Sequence, residues 1–372
     1  MIFFKYNFFQ LFILIFSQYT FCQDIQKPKT YLEYGLNAYY GALLKHRPDQ
    51  ETIYFPGAFG FEANIQKYTD GRNNWERFYN FPKVGCAVMY FNYKMPNELG
   101  KAFSVVPYMD FTLSKTGKRK FRIKTGFGAV YSTKTHELLT NEENSAISSK
   151  VSIAVTLDFQ YDFRISDHFS MNANVGFRHY SNGRLKAPNN GINYLIGGMG
   201  VKYIPHPIPN ENFYLGYPNR SFDKKVYFNV MGATAWRHVR PLEDGHHNTY
   251  IFSVYVSKMV GPISNLLLGI DGFKYHTESM RQEYLNRMIA PEANNLDGKR
   301  AGFTVGHELM FGKLAFVTQI GIYFYLPVQF DLPYYQRVGF RYYMFKNAFL
   351  NTTLKAYTSK ADMLEFGLGF KI

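Results

Sequence analysis

Hydrophobic and polar residues alternate along much of this chain. In the clearest stretch, residues 151–165, every second residue from Val151 to Ile165 is apolar and the residues between are mostly polar. A period of two places the two kinds of side chain on opposite faces of a β-strand. The pattern recurs over 314–326 and over 364–372. These stretches therefore predict strands with one apolar and one more polar face.

Similar patterns run from residue 31 to the end of the chain and predict about sixteen strands, give or take two or more. The other segments are 31–44, 57–68, 83–94, 102–114, 120–133, 167–181, 193–204, 224–238, 249–260, 263–275, 301–311, 333–345 and 348–358. Segments of ten or more residues suit tilted membrane strands, which need about 9–11 residues. A closed barrel also has no free sheet edge in lipid. We therefore expect an all-β, antiparallel transmembrane β-barrel of the outer membrane, with about 12–16 strands.

The composition agrees with a β-rich protein. Among 372 residues there are 31 Tyr, 36 Phe and 30 Gly, while the mean hydropathy is only −0.26. A helical membrane protein would be more apolar, and a disordered chain would contain few aromatic residues. A large soluble sandwich and a membrane barrel both fit this composition. The long strands favour the barrel.

The first 22 residues have the pattern of a secretory signal peptide, with Lys5 followed by an apolar run over Leu11–Phe16. We expect cleavage near Cys22. A lipoprotein signal is the alternative, but the bulky Phe21 before Cys22 disfavours it. The other cysteine is Cys86, so the mature chain has no disulfide framework.

The chain is basic, with 42 Lys and Arg against 28 Asp and Glu and a formal net charge of +14. Such a surface suits nucleic acid, anionic lipid or a phosphorylated glycolipid. Export to the outer membrane excludes nucleic acid as a partner and leaves the lipid partners.

Loop lengths give the strands a direction, because outer-membrane barrels have short periplasmic turns and long external loops. With the N-terminus in the periplasm, the long segments fall outside: 134–148, 182–192, 239–248 and 276–300. The short turns 165–167, 312–313 and 346–347 fall inside. The long connections 69–82 and 205–223 do not fit this rule. Two explanations stay open. Either these connections form plugs, small helices or a boundary between two halves of the protein, or the number of strands is miscounted there.

The segment 167–181 carries the most informative alternation. Its apolar face runs from Phe169 to Phe177, and the same face continues to His179 and Ser181 near the external end. Antiparallel pairing with the next strand brings Asn193 within reach of this pair. A serine becomes a good nucleophile when a neighbouring imidazole accepts its proton and a third group orients the imidazole. The alternative is a set of polar residues at the membrane interface.

The run Phe177–Gly183, followed by Pro188–Asn193, resembles the active-site segment of the PagL-type lipid A 3-O-deacylases, the acyloxyacyl hydrolase family. These are outer-membrane barrel esterases. The resemblance implies Ser181 as nucleophile and His179 as general base. It also implies an oxyanion hole formed by Asn189 and by the backbone of Asn182 and Gly183. Where the family enzyme has an acidic third residue, this chain has Asn193, whose amide stabilises imidazolium less.

The resemblance covers 23–204, an eight-strand unit that carries the site, and we expect 205–372 to add strands that complete the same barrel. Arg178, Arg184 and Lys186 flank the predicted site, where they could bind lipid A phosphates or form an ordinary basic surface.

The resulting hypothesis is an outer-membrane serine esterase that hydrolyses an ester-linked acyl chain of lipid A, the anchor of lipopolysaccharide in the outer leaflet. It needs no cofactor and no metal. The alternative is a non-enzymatic channel or scaffold barrel. The acyl position, the chain length and the oligomeric state stay open.

Overall fold

A computed structural model of the protein describes residues 30–44, 57–116, 118–207, 217–239, 245–289, 296–328, 331–358 and 360–372. The predicted signal peptide, with Cys22 and its cleavage site, lies outside these residues. In the part of the chain that the structure describes, no helix has the length and apolar character needed to cross a membrane.

Within these ranges, sixteen antiparallel strands form two closed barrels of eight strands each. The first barrel consists of β1 Leu32–Leu43, β2 Ala58–Tyr68, β3 Lys83–Asn92, β4 Lys101–Thr116, β5 Arg119–Ser132, β6 Val151–Arg164, β7 Phe169–Ser181 and β8 Ile192–Tyr203. The second consists of β9 Val226–Arg237, β10 His247–Gly261, β11 Ser264–Tyr275, β12 Lys299–Phe311, β13 Leu314–Tyr325, β14 Tyr334–Tyr343, β15 Ala348–Tyr357 and β16 Lys360–Lys371. The all-β outer-membrane barrel fold and the strand number are thus confirmed.

One expectation about the architecture needs correction. Strand β8 returns to β1, with Tyr34 opposite Tyr203 and Leu43 opposite Tyr194, and so closes the first barrel. Strand β16 likewise pairs with β9. The strands after residue 205 therefore form a second barrel and do not complete the first. The alternation of apolar and polar residues predicts which face of a strand contacts lipid, but not which strand it pairs with. It therefore cannot distinguish one larger barrel from two barrels of eight strands.

The two long connections that break the loop-length rule have separate explanations. The connection between β2 and β3 contains a short helix, α1 (Asn74–Phe78). The connection between β8 and β9 joins the two barrels. On the predicted outer side, a second helix, α2 (Thr277–Asn286), lies between β11 and β12. The strand directions inferred from loop length stay a prediction.

Both barrels expose apolar side chains outward and fill their lumens with paired charges. Examples from the first lumen are Lys124–Glu62 and Arg178–Asp158, and from the second Arg337–Glu365 and Lys355–Asp362, with N–O distances of 2.6 to 2.7 Å. Such interiors are typical of eight-strand barrels, which are just wide enough for side chains to fill. Lipid therefore contacts the outer faces, where the predicted site lies.

The two barrels belong to one compact unit, residues 31–372. Tyr79, next to α1, stacks on Phe311 of β12 with ring centroids 4.6 Å apart. Phe127 of β5 contacts Phe340 of β14 through their rings, at 5.3 Å. Aromatic side chains from both barrels thus form part of the junction between them.

Candidate active site

Strands β7 and β8 hold three polar side chains together at the ends that the loop over 182–191 joins. His179 lies directly opposite Asn193 in the antiparallel register. Its Nδ1 is 2.6 Å from Oδ1 of Asn193, and its Nε2 is 3.0 Å from Oγ of Ser181. The structure therefore brings together all three residues that sequence analysis placed in one site.

The chemistry of the partners determines the state of the imidazole. The amide oxygen of Asn193 can only accept a hydrogen bond, so Nδ1 of His179 carries the proton and donates it. In the neutral ring, Nε2 is then left as an acceptor for the hydroxyl proton of Ser181. This is the tautomer that a general base needs in order to take a proton from serine.

The three residues continue the lipid-facing side of the first barrel. Below them on the same face, Phe177 is partly exposed and Leu195 is exposed. Ser181 is only 8% exposed because it lies where the strand meets the loop over 182–191. The hydroxyl is therefore partly shielded at a membrane-facing position, beside an open apolar surface.

The loop over 182–191 supplies hydrogen-bond donors beside the serine. The backbone N–H of Asn182 donates to Oδ1 of Asn189 at 2.9 Å. Because an N–H can only donate, this contact fixes the orientation of the Asn189 amide and leaves its Nδ2 to serve as a donor elsewhere. The amide of Gly183 makes no hydrogen bond to any described residue. The N–H of Gly183 and Nδ2 of Asn189 are thus open to a further acceptor within the described residues, whereas the backbone N–H of Asn182 is already used.

The side chain of Asn182 anchors this loop. It is 2% exposed, and its Nδ2 donates to the hydroxyls of Ser148 and Ser149 at 3.1 and 3.0 Å and to the carbonyl of Lys186 at 2.8 Å. The buried amide fastens the loop to the neighbouring β5–β6 connection. Asn182 thus has a structural position behind the site.

The three predicted phosphate-binding cations lie in different environments. Arg178 is fully buried in the lumen, where it pairs with Asp158. Since it is the residue before His179 on β7, it lies on the opposite face of the strand and does not reach lipid. Arg184 is 2.6 Å from Glu283 of α2, across the junction between the barrels. Lys186 is exposed. Of the three, Lys186 alone has a side chain placed to meet a phosphate from outside.

Sequence analysis missed the residues of the second barrel that touch the loop. Glu283 pairs with Arg184, and Nδ1 of His238 accepts the backbone N–H of Ala187 at 3.1 Å. Burial acts to raise the pKa of Glu283, but Arg184, Arg237 and Lys360 outweigh it and lower the pKa to about 2. These contacts join residues far apart in the chain, so no local pattern signals them.

No cluster of three or more His, Cys, Asp or Glu side chains able to hold a metal ion occurs within the described ranges. The polar groups gathered at Ser181 are a hydroxyl, an imidazole, amides and a backbone N–H. This set has the components of nucleophilic acyl transfer, namely a nucleophile, a base, an orienting group and oxyanion donors.

Two family models match the chain, each over one barrel. The model described as "Lipid A 3-O-deacylase (PagL)" matches residues 59–202. The model described as "Acyloxyacyl hydrolase, C-terminal domain" matches residues 223–372. The first range contains the site, and the second contains the whole of the second barrel. No curated protein matches the chain significantly.

Several solved structures are also similar to this chain. The crystal structure of the outer membrane enzyme PagL is 16% identical and covers 45% of this chain and 97% of its own, with a TM-score of 0.33. A mutant of the TodX monoaromatic hydrocarbon channel is 7% identical and covers 92% and 89%, with a TM-score of 0.18. A mutant of Rh. blastica porin is 8% identical and covers 92% and 100%, with a TM-score of 0.19.

Proposed function

Since the two family models match residues 59–202 and 223–372, the chain belongs to the PagL-type lipid A 3-O-deacylase (acyloxyacyl hydrolase) family, and we propose that it is a serine esterase that removes an ester-linked acyl chain from lipid A. The observation that carries the serine mechanism is the continuous hydrogen-bonded series from Asn193 through His179 to Ser181. Each member has the donor or acceptor role that the reaction requires.

The first half of the reaction transfers the acyl chain to the enzyme. Ser181 Oγ attacks the ester carbonyl while His179 Nε2 takes the hydroxyl proton. The amide of Gly183 and Nδ2 of Asn189 donate to the oxyanion that forms. The bond between the carbonyl carbon and the sugar oxygen then breaks, and His179 returns the proton to that oxygen. The products are the lipid with a free hydroxyl and an acyl-Ser181 ester.

The second half regenerates the enzyme. A water molecule attacks the acyl-Ser181 carbonyl and gives its proton to His179, and the same two donors stabilise the second oxyanion. Collapse of this intermediate breaks the bond to Ser181 Oγ, which recovers the proton from His179. A fatty acid leaves. During both halves the imidazolium is stabilised by the hydrogen bond from its Nδ1–H to Asn193.

The height of Ser181 in the membrane suits an ester at the base of a lipid head group. From Phe169 to Ser181, β7 advances about 40 Å at ~3.3 Å per residue, and a tilt of about 40° reduces this to about 30 Å across the membrane. The hydrocarbon layer is also about 30 Å thick. With Phe169 at the inner interface, Ser181 lies at the outer one. Acyl chains can then lie along Phe177 and Leu195 while the sugar stays in the polar layer.

The alternative function, a passive channel, needs a continuous water-filled lumen. Each barrel has eight strands, and ion pairs such as Lys124–Glu62 and Arg337–Glu365 occupy the described lumens. Removing such charges from water is costly unless they are paired closely. The filled lumens favour chemistry on the outer face over transport through the interior.

Mass spectrometry of lipid A tests the proposed reaction. Lipid A from cells that produce the protein should lack one ester-linked acyl chain that is present in matched cells without it. Unchanged lipid A in several hosts with different acylation patterns, at verified levels of folded barrel, would contradict the proposal and favour a non-enzymatic barrel.

A further inference from the structure

We propose that the second barrel is a positioning element of the active site, in which Glu283 and His238 hold the oxyanion loop over 182–191 in its productive conformation. This inference rests on the proposed function, because it assigns a role in the same esterase reaction. The residues concerned do not touch the reacting atoms and act through the loop.

An ion pair attaches the second barrel to the loop one residue after Gly183. The Arg184 guanidinium is 2.6 Å from Glu283 of α2 and 3.8 Å from Asp362 of β16. Arg184 is 13% exposed at its side chain, and the two carboxylates are 6% and 1% exposed. Arg237 also contacts both carboxylates, at 3.6 and 3.0 Å. These ion pairs thus form a buried network, and dissolved salt screens the attraction between its charges only weakly.

Two hydrogen bonds attach the second barrel to the backbone of the same loop. Nδ1 of His238 accepts from the N–H of Ala187 at 3.1 Å, and the N–H of His238 donates to the carbonyl of Arg184 at 3.4 Å. His238 follows directly after β9, so it projects from the rim of the second barrel. A single residue thus holds the loop at two backbone positions three residues apart.

The backbone of the loop needs such support. Gly183 has φ +64° and Arg184 has φ +69°, so two consecutive residues adopt the left-handed conformation. For arginine, with its Cβ, this conformation is unfavourable and persists when surrounding contacts impose it. The contacts on Arg184 come from Glu283, Asp362 and His238, all in the second barrel.

The strained turn carries the catalytic donors. The N–H of Gly183 immediately precedes Arg184, and Asn189 lies two residues beyond the Ala187 amide that His238 holds. A Cβ on Gly183 would lie 3.3 Å from Cβ of Leu364, so this turn also packs against β16. Because oxyanion donors act through preorganised geometry, displacement of the loop by about 1 Å can slow a reaction by about 100-fold. The second barrel thereby determines kcat without contacting the ester.

The test uses the full-length protein in detergent micelles with a water-soluble short-chain acyl ester, so that kcat and KM can be separated. Glu283→Gln and Arg184→Met should each lower kcat by roughly tenfold to a hundredfold while KM changes little. Arg184→Lys should recover part of the loss, because it retains the charge near Glu283. Arg184→Met also leaves Arg237 paired with both carboxylates, so the second barrel keeps its own ion pairs. Heat-modifiable migration on gels verifies folding.

The matched control is Glu278→Gln on the same helix α2. Glu278 pairs with Arg281 at 2.5 Å, and their side chains are 35% and 40% exposed. Loss of this exposed pair should leave kcat within about twofold of wild type.

A double-mutant cycle distinguishes positioning from general weakening of the fold. If Glu283 acts through the oxyanion donors, Glu283→Gln should lower kcat by a smaller factor in an Asn189→Ala background than in the wild-type protein. Equal fold losses in both backgrounds, or a kcat within twofold of wild type for Glu283→Gln and Arg184→Met, would overturn the inference. The same assay tests the proposed function, which is supported if the wild type is active and Ser181→Ala is not. A failure of the proposed function is therefore distinguishable from a failure of the inference about the second barrel.

Discussion

The amide at position 193 gives a sharp prediction, because one atom there determines both the tautomer and the charge stabilisation of His179. Asn193→Asp keeps the shape of the side chain and replaces the neutral acceptor with a carboxylate. Asn193→Leu keeps a similar volume and removes the acceptor. Position 193 faces the membrane, so leucine is compatible with the barrel surface.

The expected magnitudes follow from the 2.6 Å contact between Nδ1 of His179 and Oδ1 of Asn193. A hydrogen bond to a charged group contributes about 1.5–3 kcal/mol, and the imidazole is charged in the transition state. At about 1.4 kcal/mol per factor of ten, Asn193→Leu should lower kcat by about 10- to 150-fold. A carboxylate makes the hydrogen bond roughly twice as strong. Because the position is only half-buried, we expect Asn193→Asp to raise kcat by about tenfold near neutral pH.

The assay compares kcat for the three purified proteins on one acyl ester at pH 7 to 8, with equal amounts of heat-modifiable barrel. The order Asp above Asn above Leu is expected. Equal rates for all three would show that another group orients His179. A rate for the leucine variant equal to that of wild type, with only the aspartate variant changed, would refute the argument that Asn193 fixes the tautomer.

Three further predictions test the lumen, the loop and the topology. Arg178→Met should lower the free energy of unfolding in denaturant by up to about 3–5 kcal/mol, because buried Asp158 loses its closest ion-pair partner and keeps Lys124 at 3.5 Å. The kcat per folded molecule should stay unchanged, and a large loss of kcat would show that Arg178 acts in the site. Gly183→Val should lower kcat at constant KM, since φ is +64° there and a Cβ meets the second barrel at 3.3 Å; a kinetically silent variant would exclude this turn from the oxyanion hole. An epitope inserted in 276–300 should bind antibody on intact cells and one in the 346–347 turn should not, and the reverse labelling would invert the strand directions.

Much of the first barrel was predictable from the sequence because lipid imposes a simple rule on strands. Apolar side chains face out and polar ones face in. His179 lies an even number of residues from Phe177 and the other apolar side chains of β7, so the alternation alone placed it on the outer face. The same alternation predicts that Arg178, the next residue, faces the lumen. The suggestion that Arg178 could bind lipid A phosphates did not take the alternation into account. The pairing of His179 with Asn193 could be anticipated because the two residues lie on the apolar faces of adjacent antiparallel strands, near the ends that one loop joins.

The closure of the barrels and the junction between them could not be predicted in the same way. Strands of one eight-strand barrel and strands of a larger barrel have the same alternation, and only the long 205–223 connection hinted at a boundary. Glu283 lies 99 residues from Arg184, and its contact depends on how α2 lies above the second barrel. Such contacts depend on tertiary packing, which leaves no local signal in one sequence.

The central claim, that Ser181 is the nucleophile of an esterase, is tested most directly by Ser181→Ala. The change removes one hydroxyl and its hydrogen bond to His179 at the end of a strand, so the stability of the barrel should change by only about 1 kcal/mol. Loss of a triad nucleophile can cost on the order of 10⁶ in rate, a figure recorded for subtilisin. The measurement is the fatty acid released from lipid A by equal amounts of folded wild-type and Ser181→Ala protein. We predict release by the wild type and none above background by the variant, whereas equal release by both would contradict the serine mechanism.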